Sequence, residues 1–424
     1  MNNYHLVIDY LFALQRHGIK LSLDNIKALL QPLNNPQNQW PCVHIAGTNG
    51  KGSTAAMIES ILMKAGYKVG LYTSPHLVDF RERIRINRVH IPEKAVIDFI
   101  IKMKPLIDKI TPSFFEATTA LAFWYFAKEE IDVGIIEVGL GGRLDSTNVV
   151  NPLISVITSV DMDHQKYLGK TIQEIASEKA GIIKPNIPCI TTNINANVLE
   201  ALSQKCVSQN SELIRINDIS KSKILSMNLE GTYLDLNIAN NSFNSLYLNL
   251  PGEHQIENAI LAIGTLLHLR GKLKISENNI FEGLGDVQWK GRIDLISKKP
   301  FIIIDVSHNT SGFEKTLSFL NKYFPKEKLK VVTALQEDKD FQKIGEILTY
   351  YSKEVFLIDL KLGKPLSPLK FYGVLNQEGV KSSVVSSLTE IQNKLHGSKH
   401  DNDLWLIIGS HYLAGEAYQK LKKS

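Results

Sequence analysis

Three glycines, a lysine and a serine follow an apolar run of strand length in Cys42-Val-His-Ile-Ala-Gly-Thr-Asn-Gly-Lys-Gly-Ser-Thr54, and no other stretch restricts the fold as much. Residues 42–46 read as a strand. The spacing of Ala56, Ile58, Ile61, Leu62 and Ala65 predicts a helix over 54–65, and Gly66 stands where a C-cap glycine would. A second apolar run, 69–73, completes a βαβ unit. Glycines let backbone N–H groups converge on an anion, and the helix N-terminus adds partial positive charge, so the loop reads as a phosphate site. Lys51 then neutralises the β- and γ-phosphates, and the Ser53 hydroxyl can ligate Mg²⁺. The spacing departs from the usual G-x-x-x-x-G-K-[ST]: two residues separate Gly47 from Gly50, and Gly52 stands between Lys51 and Ser53. A simple turn between strand and helix needs neither the lysine nor the serine.

At 424 residues the chain is too long for one ordinary domain. An apolar fraction of 44% with 21% charged residues suits a soluble protein with large cores. The net charge of +5 is spread without a long basic run, which argues against nucleic acid and fits anionic small substrates. The longest apolar stretches are strand-length, so no membrane span is expected, and residues 1–10 lack the pattern of a signal peptide. Cys42, Cys189 and Cys206 are widely spaced and fit neither a disulfide framework nor a zinc site; thiols in a reducing cytoplasm are expected.

Residues 42–192 alternate strand-like runs (133–138, 154–160, 187–192) with helical segments, which predicts a mostly parallel sheet covered by helices. Between 211 and 250 the texture changes. Runs at 213–216, 233–238 and 246–250, separated by Asn and Ser, predict an appended antiparallel patch. A helix over 255–269 follows. Beyond Trp289-Lys-Gly-Arg292 the βα alternation restarts, with strands at 301–306, 329–335, 355–359 and 404–408 and a domain junction near residue 295. Residues 382–387 read as merely polar.

Further constellations cluster at predicted strand ends, where ligands bind in a parallel sheet. Thr73-Ser-Pro-His-Leu77 is followed by the basic Phe80-Arg-Glu-Arg-Ile-Arg85, which alone reads as a solvated loop rather than a substrate clamp. Glu137 leads into Gly139-Leu-Gly-Gly-Arg-Leu-Asp-Ser-Thr-Asn148, and Asp161-Met-Asp-His164 follows the next strand. An acid or histidine there serves equally as a metal ligand or as a solvated surface group. Residues 171–183 predict a helix with a Thr171/Glu174 capping box. Lys179 falls within its apolar stripe of Ile172, Ile175, Ala176, Ala180 and Ile183. A lysine there either snorkels or stays uncharged, and an uncharged amine can take up carbon dioxide to give a metal-binding carbamate.

The series His44-Ile-Ala-Gly-Thr-Asn-Gly-Lys-Gly-Ser53, Tyr72-Thr-Ser-Pro-His-Leu77, Glu137 to Asn148, Asp163-His164, Glu178-Lys-Ala-Gly-Ile-Ile-Lys184, His254-Gln-Ile-Glu-Asn258, Gly291-Arg292, Asp305-Val-Ser-His-Asn309 and Gly409-Ser-His-Tyr-Leu413 spans nearly the whole chain. In this order it resembles the folylpolyglutamate synthase/dihydrofolate synthase branch of the Mur-type ATP-dependent amide ligases. The resemblance implies an α/β fold: a P-loop ATPase domain over 1–294, with a mostly parallel sheet and a small antiparallel patch, and a Rossmann-like ligase domain over 295–424. It assigns Thr48, Asn49, Gly50, Lys51, Gly52 and Ser53 to ATP phosphates, and Asn258, Arg292 and Asp305 to other nucleotide contacts. Two Mg²⁺ ions are implied on Ser53, Ser74, Glu137, His164 and a carbamylated Lys179. Lys51, Lys179 and His308 are implied to be catalytic. The chain reads Asp-Val-Ser-His-Asn where the family has D-G-A-H-N, and Ile408-Gly-Ser410 where Thr-Gly-Ser is common.

The implied chemistry explains these parts. A carboxylate is a poor acyl donor; phosphorylation by ATP gives an acyl phosphate with a good leaving group, and the amine of L-glutamate attacks it. The acceptor is dihydropteroate, a tetrahydrofolate or its polyglutamates, with Phe115, Glu116, Leu144, Asp145 and Ser146 on the pterin side and Ser410 near the glutamate. Phe115, with its neighbour Phe114, is as well explained as ordinary core. Alternatives are polyglutamylation alone, a ligase of peptidoglycan precursors, or a P-loop kinase or GTPase sharing just residues 42–65; the last lacks an N-K-x-D base-reading motif. A cytoplasmic monomer without membrane or nucleic-acid partner is expected.

Overall fold

The computed structural model describes residues 3–18, 20–360, 363–397 and 402–421. Its first sheet is built from β1 (Cys42–Ala46), β2 (Val69–Tyr72), β3 (Ile84–Ile86), β4 (Val89–His90), β5 (Val133–Glu137), β6 (Ile154–Ile157), β7 (Cys189–Thr191) and β8 (Leu213–Arg215). Their order is β4-β3-β2-β5-β1-β6-β7-β8, parallel except for the β2–β3 and β3–β4 pairs. The inner strands β1, β5 and β6 are buried at every position, which is why they read as continuous apolar runs instead of alternating ones. Ile45 pairs with Glu137 and Ala46 with Ile157, so the carboxyl ends of these three strands open on one edge. The phosphate loop, Glu137 and the Thr158–His164 turn all leave from that edge.

Helices cover both faces. On one, the Lys51–Lys64 and Glu253–His268 helices and an antiparallel sheet enclose a core with Ile58, Ile61 and Val156. On the other, the Glu93–Ile110 and Phe114–Lys128 helices pack with the N-terminal Tyr4–Ala13 helix around Phe99, Phe123 and Phe126. The antiparallel sheet is β9 (Ser220–Met227), β10 (Thr232–Ile238) and β11 (Asn241–Leu248). Residues 213–216 do not join it, contrary to the sequence reading: β8 pairs in parallel with β7 and extends the main sheet. The strand that takes its place, β9, is largely exposed and rich in Ser and Lys, so it lacks the apolar alternation that marks a strand.

A second mixed sheet follows, in the order β12-β13-β17-β14-β15-β16, from β12 (Asp294–Lys298), β13 (Phe301–Ile304), β14 (Leu329–Thr333), β15 (Glu354–Ile358), β16 (Ser382–Val385) and β17 (Leu404–Ile408). All pairs but β12–β13 are parallel, and helices flank the sheet in a Rossmann-like arrangement. Residues 382–387 therefore contain an edge strand that polarity concealed. The helix after the phosphate loop begins at Lys51 rather than Thr54, with Gly50 as its N-cap. That difference matters, because the lysine belongs to the first turn.

Candidate active site

Gly47 and Gly50 shape the phosphate loop. A Cβ on Gly47 would overlap the Thr158 hydroxyl, and one on Gly50 would overlap the Asn258 amide; both backbones have positive φ. The loop is fastened to β6's exit by Thr48 N–H to Ser159 O (2.7 Å) and by the Asn49 amide to Asp161 Oδ2 (2.9 Å). No side chain caps the Lys51–Lys64 helix, so its first N–H groups face the loop and remain available to an anion. Lys51 Nζ folds onto the carbonyls of Gly47 (3.1 Å) and Thr48 (3.2 Å).

Lys179 lies 3% exposed on its capped helix and also donates to Gly47 O, at 2.9 Å. Burial, helped by the nearby Lys51 charge, pushes its pKa down to about 7. Snorkelling is thereby excluded: the ammonium end is the buried end. Glu137, 5% exposed at the end of β5, accepts the Ser74 N–H at 3.0 Å, and burial raises its carboxyl pKa. The Ser53 hydroxyl is buried and has no partner among the described residues. His164 follows in a left-handed backbone conformation, and burial lowers its pKa to about 4, leaving the imidazole neutral and able to ligate. Ser53, Ser74, Glu137, His164 and Lys179 all line one cavity of about 420 Å³. An orphaned buried hydroxyl and a buried carboxylate lining the same cavity form a donor set that suits a hard cation such as Mg²⁺.

The same cavity is lined by Thr48 to Ser53, Asn258, Arg292, Asp305, His308 and Ser410, so both sheets contribute to it. Asp305 is 1% exposed and accepts the backbone N–H groups of Ile293 and Ser307 at 2.9 and 2.8 Å, which holds the chain entering the second sheet. His308 Nδ1 lies 3.0 Å from Val306 O. Five expected substrate residues do not line the cavity. Glu116, 1% exposed, is the capping-box partner of Ser113. Phe115 stacks on Tyr72 at 5.9 Å and packs against Gly139, itself a lining residue. Leu144 is half-buried and Ser146 buried. Asp145 accepts from the Gly139, Leu140 and Thr147 N–H groups at 3.0, 2.9 and 2.9 Å and from the Thr147 hydroxyl, so its oxygens fasten the glycine loop.

Other lining residues had no role in the sequence reading. Asp163, 8% exposed, receives Lys339 Nζ at 2.7 Å and the Asn309 amide at 3.2 Å. Asn309 also reaches Asn49 Oδ1 at 3.1 Å. Asp163, His164 and Asp338 have ligand atoms within 4.8 Å of one another. Lys339 Nζ lies 2.7 Å from Asp163 and 3.2 Å from Asp338, which fills that group with an ammonium instead of a metal. His254 and His411 line the cavity too, both held neutral by burial. Their motifs were visible, but nothing local distinguished them from surface histidines. The Arg81–Arg85 run is no solvated loop: Arg83 is buried and Arg85 pairs with the buried Glu59.

Among the described residues no helix is long and apolar enough to cross a membrane. Family profiles match twice, the Mur ligase middle domain over residues 45–266 and the Mur ligase, glutamate ligase domain over 291–411. The chain is 33% identical over 431 residues to a folylpolyglutamate synthase of Lacticaseibacillus casei, covering 99% of each. It is 32% identical over 419 residues to a dihydrofolate synthase/folylpolyglutamate synthase of Bacillus subtilis, covering 96% of each. The solved structure of E. coli FolC in complex with DHPP and ADP superposes with a TM-score of 0.89 at 27% identity, covering 98% of both chains.

Proposed function

We infer the reaction from the family to which this chain belongs, the Mur ligases, and within them the folylpolyglutamate synthase/dihydrofolate synthase branch: it is an ATP-dependent ligase that joins L-glutamate to the carboxylate of a folate. The observation that carries this reading is the single cavity shared by the phosphate loop of the first sheet and by His308 and Ser410 of the second. Both dihydropteroate and reduced folates serve as acceptors, in keeping with the paired names of the Bacillus relative. The ATP-binding domain spans 1–294 and the ligase domain, which adds Asp305 to the nucleotide site, spans 295–424; residues 1–2 and 422–424 lie outside the described ones. The chain works as a cytoplasmic monomer.

The phosphate-loop N–H groups and Lys51 hold the triphosphate and balance the charge that moves with its terminal phosphoryl group. Asn258, Arg292 and Asp305 orient the rest of the nucleotide. Ser53, Ser74, Glu137, His164 and a carbamylated Lys179 would hold two Mg²⁺ ions, which supply positive charge against the phosphates when bound. The acceptor carboxylate takes the phosphoryl group, so an acyl phosphate forms and ADP departs. Phe115, Glu116, Leu144, Asp145 and Ser146 shape the acceptor side behind Gly139 and Leu140. His308 and Ser410 present glutamate, whose amine attacks the acyl carbon and expels phosphate. Docking of the two halves through Asp163, Asn309 and Lys339 shields the acyl phosphate from water.

ADP release with dihydropteroate or tetrahydrofolate, each with and without L-glutamate, tests the reading. Sustained glutamate-dependent turnover with both acceptors is expected. Turnover with tetrahydrofolate alone would reduce the protein to a folylpolyglutamate synthase.

A further inference from the structure

The basic run after Ser74-Pro-His76 holds four arginines, and they are not equivalent. Arg81 pairs with Asp79 at 2.6 Å, Arg85 with Glu59, and Arg88 with Asp286 at 3.1 Å. Arg83 is 8% exposed, yet no carboxylate lies within ion-pair distance of it among the described residues. Its neighbour Glu82 is occupied by the N–H groups of Leu77, Val78 and Asp79 at 2.7, 3.0 and 2.9 Å. The one side-chain hydrogen bond of Arg83 among the described residues is from Nε to His76 Nδ1, at 2.7 Å, and its guanidinium carbon lies 5.1 Å over the Phe114 ring. Among the described residues both terminal nitrogens are without a partner, and neither is among the sealed, unsatisfied atoms of the interior, so they face accessible space.

The surroundings are aromatic. Phe12 stacks on Phe114 at 5.5 Å, and Phe80 meets Phe114 edge-on at 6.0 Å. Attraction to a ring face does not offset the desolvation of an unpaired guanidinium, so this position calls for an anion. The place is also telling. Ser74 and Pro75, two residues upstream of His76 on the same loop, line the catalytic cavity, as does Tyr412. Burial pushes the Arg83 pKa down, while Tyr72, Tyr412 and Glu137 act on it from nearby in the opposite sense. Arg83 does not itself line the cavity but touches His76, which follows the Ser74–Pro75 part of its wall, while Lys51 and the loop amides already serve the phosphates.

We propose that Arg83 receives the α-carboxylate of the acceptor's terminal glutamyl residue, and so favours reduced folates that already carry glutamate. This rests on the two-acceptor reading above. A glutamyl terminus carries two carboxylates: the γ-carboxylate must enter the phosphoryl-transfer site, and the α-carboxylate remains an anion at the α-carbon, two methylenes away. A planar guanidinium fork matches that group bidentately. Dihydropteroate ends in a single carboxylate, the reacting one, and has nothing for Arg83 to hold. Arg83 is therefore a specificity-determining residue rather than part of the phosphoryl-transfer machinery.

Steady-state kinetics of Arg83→Gln and Arg83→Lys with both acceptors test this. In Arg83→Gln the KM for tetrahydrofolate should rise about tenfold or more, as expected for a lost charge-assisted pair. Its kcat, and the KM values for ATP and dihydropteroate, should change far less; Arg83→Lys should fall between. Equal KM changes with both acceptors, or a rise confined to L-glutamate, would overturn the proposal. Should Arg83→Gln fail to fold, the wild-type protein decides. A tetrahydrofolate analogue with 4-aminobutyrate in place of glutamate keeps the γ-carboxylate and lacks the α one. Its KM should exceed that of tetrahydrofolate by a similar factor, and an unchanged KM would overturn the proposal. Absence of wild-type turnover with tetrahydrofolate would instead remove the underlying reading.

Discussion

Lys339 and Asp163 meet at 2.7 Å between the two halves of the molecule, with side chains just 5% and 7% exposed. Asp163 leaves the edge of the first sheet, and Lys339 follows β14 of the second. The same carboxylate takes the Asn309 amide at 3.2 Å and faces His308 Nε2 at 3.6 Å. One acid at the edge of the first sheet thus gathers three groups that follow strands of the second. Burial alone would raise its pKa, but its contacts with His308, His164 and Lys339 hold it well below the usual carboxylate range.

Removing the lysine should therefore cost stability. Lys339→Met leaves Asp163 buried with the His164 N–H and the Asn309 amide as hydrogen-bond partners and no ammonium beside it, and a loss of about 2–4 kcal/mol is expected in urea titration. Adding Asp163→Asn should recover part of it, because the stranded charge goes. The pH dependence has a fixed sign. A carboxyl whose folded pKa lies below its unfolded value of about 4 contributes stability above that pH. Wild type should lose that contribution as pH falls below about 4, and Asp163→Asn should lose less. Strictly additive single and double variants would show that the pair is not coupled.

Lys51→Ala should abolish ADP formation with every acceptor while leaving the fold intact. Its ammonium is held by two loop carbonyls and neutralises no protein carboxylate in contact, so the fold depends on it little. A loss of about 10²–10³-fold or more in kcat is expected from removing one preorganised charge at the transferred phosphoryl group. Turnover within a few-fold of wild type would refute its role.

Residues close in sequence made much of this site legible. The phosphate loop, Glu137 and the Asp163-His164 turn each follow an apolar strand directly, and parallel strands bring their exits to one edge. What stayed hidden depended on long separation or on charge whose burial has no local mark. Asp163 and Lys339 are 176 residues apart, and Lys339 sits in a stretch rich in exposed acids. Arg83 and Arg85 read as part of a solvated run, because a sequence cannot distinguish a charge buried against Phe114 or Glu59 from one in water. Strands β9 and β16 were missed for the converse reason: they are edge strands whose polar faces meet solvent, so the apolar pattern fades.

Asp145 separates two roles. Its oxygens fasten Gly139, Leu140 and Thr147, and Gly139 and Leu140 line the cavity. Asp145→Ala frees these donors and should lower stability by roughly 1–3 kcal/mol. If the loop so fixed forms the pterin wall, kcat/KM should fall more with dihydropteroate, which lacks a glutamyl anchor, than with tetrahydrofolate. Differential scanning calorimetry beside kinetics with both acceptors checks the two effects; equal kinetic losses would leave Asp145 a purely structural tie.

Lys179 gives the most exacting test. Its pKa is pushed from the ordinary 10.5 to about 7 by burial and by Lys51. The folded state therefore binds fewer protons than the unfolded one between those values, and stability should rise with pH through that window. At or below pH 7 the buried ammonium is a burden, so Lys179→Met should be more stable than wild type there, by on the order of 1–3 kcal/mol. Activity should move the other way. A neutral amine attacks carbon dioxide, forming an N–C bond and releasing a proton, and the carbamate is an anion beside the Lys51 charge that had disfavoured the ammonium. Carbon-13 NMR of protein equilibrated with labelled bicarbonate should show one carbamate signal, absent in Lys179→Met. Short carboxylic acids should restore part of the turnover of Lys179→Ala by standing in for the lost anion. No such signal in wild type, together with a Lys179→Ala protein that works normally, would exclude the carbamate.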